Sequence, residues 1–133
     1  MNIMADDIQE LSKQIVEVFA TGDLSNVSSL VARDYVDHQG LSRTEIFGRV
    51  GFVRVVLSAR ANSGELRIRV EDLIAGTDRV ALRLHWRGNL PVESPNSAGR
   101  AFDRETLDII RFANGQMIER WGAELWFSER PSA

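Results

Sequence analysis

Apolar residues recur every three or four positions in the first half of the chain and every second position in much of the rest. In residues 6 to 21, Ile8, Leu11, Ile15, Val18 and Phe19 follow the first spacing, with Gln, Glu and Lys between them. That pattern predicts an amphipathic helix. Asp6 or Asp7 suits its start and Gly22 its end. A second, short helix is predicted with Val27, Leu30 and Val31 on its apolar side. Tyr35-Val36-Asp37-His38-Gln39-Gly40 then breaks the helical pattern and reads as a short extended piece and a turn. A third helix is predicted from Thr44 to Ala61. Phe47, Val50, Val53, Val56 and Leu57 form its expected buried stripe, and Gly48 and Gly51 weaken it.

The period changes at Asn62-Ser63-Gly64. Leu66, Ile68 and Val70 alternate with Arg67, Arg69 and Glu71, as on a half-buried strand. Gly76-Thr77-Asp78 is a turn. Val80, Leu82, Leu84 and Trp86 alternate with Ala81, Arg83, His85 and Arg87 in the next strand. Residues 88 to 100 carry Gly88, Pro91, Pro95, Asn96 and Gly99 and read as a loop or irregular strand end. A third strand is predicted from Phe102 to Phe112. Asn114-Gly115 is a hairpin signal, and a fourth strand runs from Met117 to Phe127. Helices followed by a run of antiparallel strands define the α+β class, in one domain over residues 1–133. A curved sheet closed by helices makes a cone, whose interior is a natural small-molecule pocket.

Composition changes this picture mainly by exclusion. At 133 residues the chain can bury roughly two thirds of its unfolded surface, so it needs no metal or disulfide to fold. It has no cysteine, which removes thiol nucleophiles, redox pairs and thiolate metal sites. Lys13 is the only lysine and lies early in a surface helix, a poor setting for Schiff-base chemistry. The only histidines, His38 and His85, are far apart, which argues against zinc. Sixteen basic residues against 19 acidic ones, with the charges interleaved, argue against nucleic acid. No apolar run approaches the ~18 residues of a membrane span. The acidic N-terminus lacks signal-peptide features, so a soluble, cytoplasmic protein is expected. No cofactor and no metal are expected, and acid/base chemistry falls to carboxylates and the two histidines.

Asp108 is the sharpest candidate. It stands among Leu107, Ile109 and Ile110, where strand propensity and desolvation both disfavour a carboxylate. In a dry pocket an aspartate is pushed toward its protonated form and can shuttle a proton near neutral pH. The other reading is a solvent-face aspartate paired with Arg111 or Arg83. His38 reads as a pocket acid/base or donor, or as a structural histidine bonded to Asp37 or a carbonyl. His85 shares its strand face with Arg83 and Arg87 and reads as an exposed sheet-face residue. Trp121 and Trp86 could stack on a planar ligand or pack in the core or a dimer face. Glu119 shares a face with Trp121 by period two and could be a second pocket carboxylate. Arg120 falls on the opposite face from Trp121 and reads as part of a sheet-surface salt bridge. Tyr35, the only tyrosine, lines the pocket or fills the helix–sheet seam.

Several segments together resemble the SnoaL-like polyketide cyclases of the nuclear-transport-factor-2-like superfamily. Tyr35-Val36-Asp37-His38 resembles that family's aromatic-x-Asp-His. Val70 to Ala81 resembles its strand-turn-strand, and Ala98-Gly99-Arg100 the start of its next strand. Leu107 to Trp121 resembles its "DifRf-dGkIvEhW" segment. The resemblance spans roughly residues 8 to 127 and implies a cone-shaped fold with a hydrophobic pocket. It implies that Asp108 is the general acid/base of an intramolecular aldol closure on a hydrophobic, polyketide-like substrate. It also implies a homodimer, for which Trp86, Trp126 and Phe127 offer apolar material. Two family histidines are replaced. Asn89-Leu90-Pro91-Val92 stands where Thr-His-x-Gly is common, and Arg120 interrupts Glu-His-Trp. These departures keep open a non-catalytic ligand-binding module, or a cofactor-independent hydroxylase or isomerase on the same fold.

Overall fold

A computed structural model describes residues 5–38, 44–91 and 99–125. The chain runs through helix α1 (Ala5–Thr21), the single turn α2 (Val27–Leu30) and strand β1 (Val31–Asp37). The short β2 (Ile46–Phe47) and helix α3 (Gly48–Ala61) follow. Four long strands complete it: β3 (Gly64–Ala75), β4 (Arg79–Asn89), β5 (Ala101–Ala113) and β6 (Gln116–Glu124). The strands form a six-stranded sheet in the order β2-β1-β6-β5-β4-β3. This is the expected α+β cone, with one correction. The sheet is mixed rather than wholly antiparallel, because β1 pairs parallel with β6. A tight hairpin forces neighbouring strands to be antiparallel. β3 to β6 are consecutive and obey that constraint, whereas β1 reaches β6 from the other end of the chain and is free of it.

Local chemistry explains the turns and the bending. Asn114 and Gly115 both take positive φ, 52° and 77°, as the two-residue hairpin between β5 and β6 requires. Register shifts between Val70 and Asp72 and between Arg111 and Phe112 are irregularities of the bulge type, which bend strands and sharpen their twist.

One face of the sheet meets the helices. Ile8, Ile15 and Val18 of α1 pack there, with Val80, Leu82, Ile110 and Phe112 from β4 and β5. Phe52 of α3 meets Phe19 and Tyr35 edge-to-face, at ring separations of 5.6 and 6.0 Å. The buried face of α3 differs from the expected stripe. Val56 is buried and Val53 half-buried as expected, but Phe52 is the large inward residue, while Val50, Leu57 and Phe47, which precedes the helix in β2, are exposed. Both flanks of this helix are apolar, so hydrophobicity alone did not set its phase. Trp126 and Phe127, offered as dimer material, lie outside the described residues, as do Gln39, Gly40 and most of the expected loop before β5.

Candidate active site

Strand alternation decides which side chains can enter the space between sheet and helices. On β5, Thr106, Asp108, Ile110 and Phe112 share the inner face. On β4 the inner residues are Val80, Leu82, Leu84 and Trp86. On β6 they include Arg120 and Gly122, and on β1 Tyr35 and Asp37. A cavity of about 190 Å³ opens above them. Its walls are apolar: Ile15 and Phe19 of α1, Phe52 and Val55 of α3, and Leu82, Leu84 and Trp86 of the sheet. Among the described residues, its charged lining consists of Asp108 and Arg120.

These two belong to a buried network. Arg120 places Nη1 at 3.0 Å from each carboxylate oxygen of Asp37 and directs Nη2 to Oδ1 of Asp108. Asp37 and Asp108 are 1 % and 2 % exposed, so a single guanidinium lies between two carboxylates removed from water. Tyr35 donates its hydroxyl to Asp37 Oδ2 at 3.0 Å. Thr106 donates to Asp108 Oδ2 at 2.8 Å and accepts from the indole N–H of Trp86 at 2.9 Å. Asp108 therefore receives a donor on each oxygen, as a carboxylate can. No buried side-chain nitrogen or oxygen among the described residues lacks a partner.

The electrostatics follow from that geometry. Burial works against the Arg120 charge, but the facing carboxylates of Asp108 and Asp37 outweigh it and raise the pKa of the guanidinium. Arg120 is a fixed cation. Burial first, and the charge of Asp37 second, raise the pKa of the Tyr35 phenol, which stays a neutral donor.

Gly122 makes the arrangement possible. It stands opposite Asp108 in the β5–β6 ladder. A β-carbon there would lie 2.7 Å from both Asp108 Oδ1 and Arg120 Nη2. The guanidinium occupies the space that any other side chain would fill.

The sequence-derived candidates divide between two faces. Asp108 and Trp86 line the cavity, and Tyr35 is buried beside it against Asp37. His38, Glu119 and Trp121 lie on the other side of the sheet. His38 follows Asp37 on the chain, and with Asp37 inward its own side chain turns outward. There it stacks on Trp121 at 5.0 Å and bonds Glu119 at 2.7 Å, with Glu45 at 3.4 Å. The His38 hydrogen bond, reinforced by Arg111, lowers the pKa of Glu119. Glu119 and Trp121 do share a face, but it is the outer one, because Arg120 between them points in. The structure thus places His38, Glu119 and Trp121 away from the cavity, and Arg120 in it rather than on the sheet surface. His85 also lies on the outer face, wedged between Asp103 and Glu71.

Asp37 and Arg120 were missed as site residues. Asp37 is in phase with the buried Tyr35 on β1, a signal the sequence offered, whereas Arg120 is in phase with no buried residue of β6, where Met117 is the buried one.

The fold is an α+β cone that encloses an apolar cavity with a buried carboxylate in its lining. The family model for SnoaL-like polyketide cyclases matches residues 9–124, and the chain belongs to that family. No curated protein sequence matches it. Among solved structures it is similar to TsrD from Streptomyces laurentii, with a TM-score of 0.77 at 17 % identity, covering 92 % of this chain and 90 % of that one. It is also similar to IdmH, a candidate polyketide cyclase from Streptomyces antibioticus, with a TM-score of 0.75 at 26 % identity over 87 % and 90 % of the two chains. AclR, a candidate hydroxylase from Streptomyces galilaeus, has a TM-score of 0.74 at 22 % identity over 92 % and 91 %.

Proposed function

We propose that the protein catalyses cofactor-free acid/base chemistry, an intramolecular aldol-type cyclisation, on a hydrophobic polyketide-like substrate. The observation that carries this reading is the Asp108 carboxylate, buried in an apolar cavity and held by Arg120.

Asp108 removes a proton from carbon next to a substrate carbonyl. The C–H electron pair becomes the enolate, and Asp108 becomes neutral. Arg120 loses the charge of its Asp108 partner at that moment and gains that of the enolate oxygen. Asp37 remains charged throughout and keeps the guanidinium in place. Such pre-aligned charge in a water-poor site is an effective form of transition-state stabilisation. The enolate carbon then attacks a second carbonyl of the same molecule, and Asp108 returns its proton to the new alkoxide. The step is balanced and consumes no co-reactant. Confinement of the two reacting carbons in one cavity supplies the proximity.

The test is exchange of the acidic C–H protons of an aryl 1,3-diketone in deuterated buffer, followed by NMR. Wild type accelerates exchange, and Asp108→Asn lowers the rate by about 10²-fold or more, the usual contribution of a positioned acid/base. Equal exchange by the two proteins overturns the assignment. Thermal stabilisation by the probe without exchange identifies a binding module instead.

A further inference from the structure

We infer that the substrate binds in two parts, and that a second chamber outside the Asp108 cavity holds its non-reacting remainder. This rests on the proposed reading of Asp108 for which end of the molecule reacts. Two observations carry it: the size of the inner cavity, and a second concavity that adjoins it.

The inner cavity, about 190 Å³, is small. An apolar cavity of about 150 Å³ is known to accommodate benzene. The inner chamber therefore suits a substituted single ring, or an equivalent length of folded chain, and not a preformed polycycle. Beyond it lies a larger concavity of about 510 Å³. The two adjoin and share Val55, Ala59 and Trp86 in their linings. Thr106 borders the outer chamber and is bonded to Asp108, so one side chain separates the outer space from the proposed base.

The lining of the outer chamber selects a chemical class. Phe102, Leu90 and Pro91 supply apolar surface, and Ser58 and Asn62 at the end of α3 supply polar groups. Arg104 and Glu124 also border it, paired at 3.1 Å. That pair carries no net charge, so among the described residues the lining has no excess cation to select an anionic tail. An uncharged chain with carbonyl or hydroxyl oxygens spaced along carbon matches this alternation of apolar and neutral polar surface. The substrate class is thus a neutral, oxygenated chain carrying a small enolisable head.

The test compares two probes by calorimetry: an aryl 1,3-diketone alone, and the same head bearing a neutral poly-oxygenated tail. Wild type binds the tailed probe about tenfold or more tightly, a gain that burial of a few methylene groups supplies. Ser58→Trp, which fills the outer chamber, abolishes that difference. Leu90→Trp, on the opposite wall, is the second variant should Ser58→Trp not fold. Equal affinity of wild type for both probes overturns the inference. So does an equal loss for both probes in the filled variants, or no binding of either probe. Failure of the Asp108 reading is separately visible, as probe binding without deuterium exchange.

Discussion

Gly122 faces Asp108 across the β5–β6 ladder, and its missing side chain is the space in which Arg120 reaches the carboxylate. The site depends on an absence of atoms as much as on the charged groups themselves. Gly122→Ala should therefore push the ion pair apart while leaving the sheet intact. Displacement of a catalytic group by about 1 Å can cost about 10²-fold in rate. Deuterium exchange on the diketone probe should fall by that order, with the circular dichroism spectrum unchanged. Unaltered exchange would show that the Asp108–Arg120 contact is dispensable.

Arg120 is the cation between two buried carboxylates. Arg120→Met should lower unfolding free energy by about 3–5 kcal/mol, the usual result of stripping one partner from a buried ion pair. Asp37→Asn in the same chain should recover part of the loss, because one uncompensated charge disappears. Urea titrations of the two singles and the double form the cycle that checks this. Strict additivity would mean that the two residues do not interact.

Tyr35 is the only tyrosine, so its phenolate absorbance reports on one site. Burial and Asp37 raise its pKa in the folded protein above the ordinary value of 10.0. Above that pH the unfolded chain loses the phenol proton while the folded chain keeps it. Stability from this group must then fall as pH rises beyond 10. The absorbance change should coincide with alkaline unfolding rather than precede it. Tyr35→Phe removes this contribution, and also costs about 1–3 kcal/mol at neutral pH by depriving Asp37 of a donor.

On the outer face the sign is opposite. Glu119 has a lowered pKa, chiefly through the His38 hydrogen bond, from an ordinary value of 4.5. Below 4.5 the unfolded chain binds this proton first. The contribution is therefore full above that pH and is lost as pH falls through the lowered folded value. His38→Ala should move the acid unfolding midpoint to higher pH in a circular dichroism titration. An unchanged midpoint would show that the pair is not coupled to folding.

Leu107 and Ile109 of β5 and Ile74 of β3 are exposed large apolar residues. By strand alternation, Leu107 and Ile109 stand on the face away from the helices. Apolar material on an otherwise charged sheet face fits the expected homodimer. Light scattering should give twice the chain mass, and Leu107→Glu with Ile109→Lys should halve it. A monomeric wild type would dismiss the dimer.

Much of this architecture was legible because periodicity and turn chemistry are local. The stripe Ile8, Ile15 and Val18 marked α1, and Asn114-Gly115 marked the β5–β6 turn. Two features were not local. The phase of α3 was misread in part because apolar residues stand on both of its flanks, Val50 and Leu57 outside and Phe52 and Val55 inside. The facing of β6 was misread for a related reason. Alternation correctly grouped Glu119 with Trp121, but an indole seemed a better interior residue than a guanidinium. Only the partners, Asp37 and Asp108 on other strands, make Arg120 the inward residue. The Asp37 contact depends on the parallel β1–β6 pairing, which no short-range pattern encodes.

That pairing also bears on how the chain matures. β3 to β6 form a meander of strands that are neighbours both in sequence and in the sheet. β1 joins it by contacts such as Asp37 to Arg120, 83 residues apart in sequence. Such distant contacts form slowly, because loop closure must precede their reward. The charged centre is therefore completed only when the two ends of the domain meet. Until then Asp108 and Arg120 have no Asp37 to complete their network, and a partly folded chain carries half a site. Docking of β1 on β6 is thus the step that closes the charged centre.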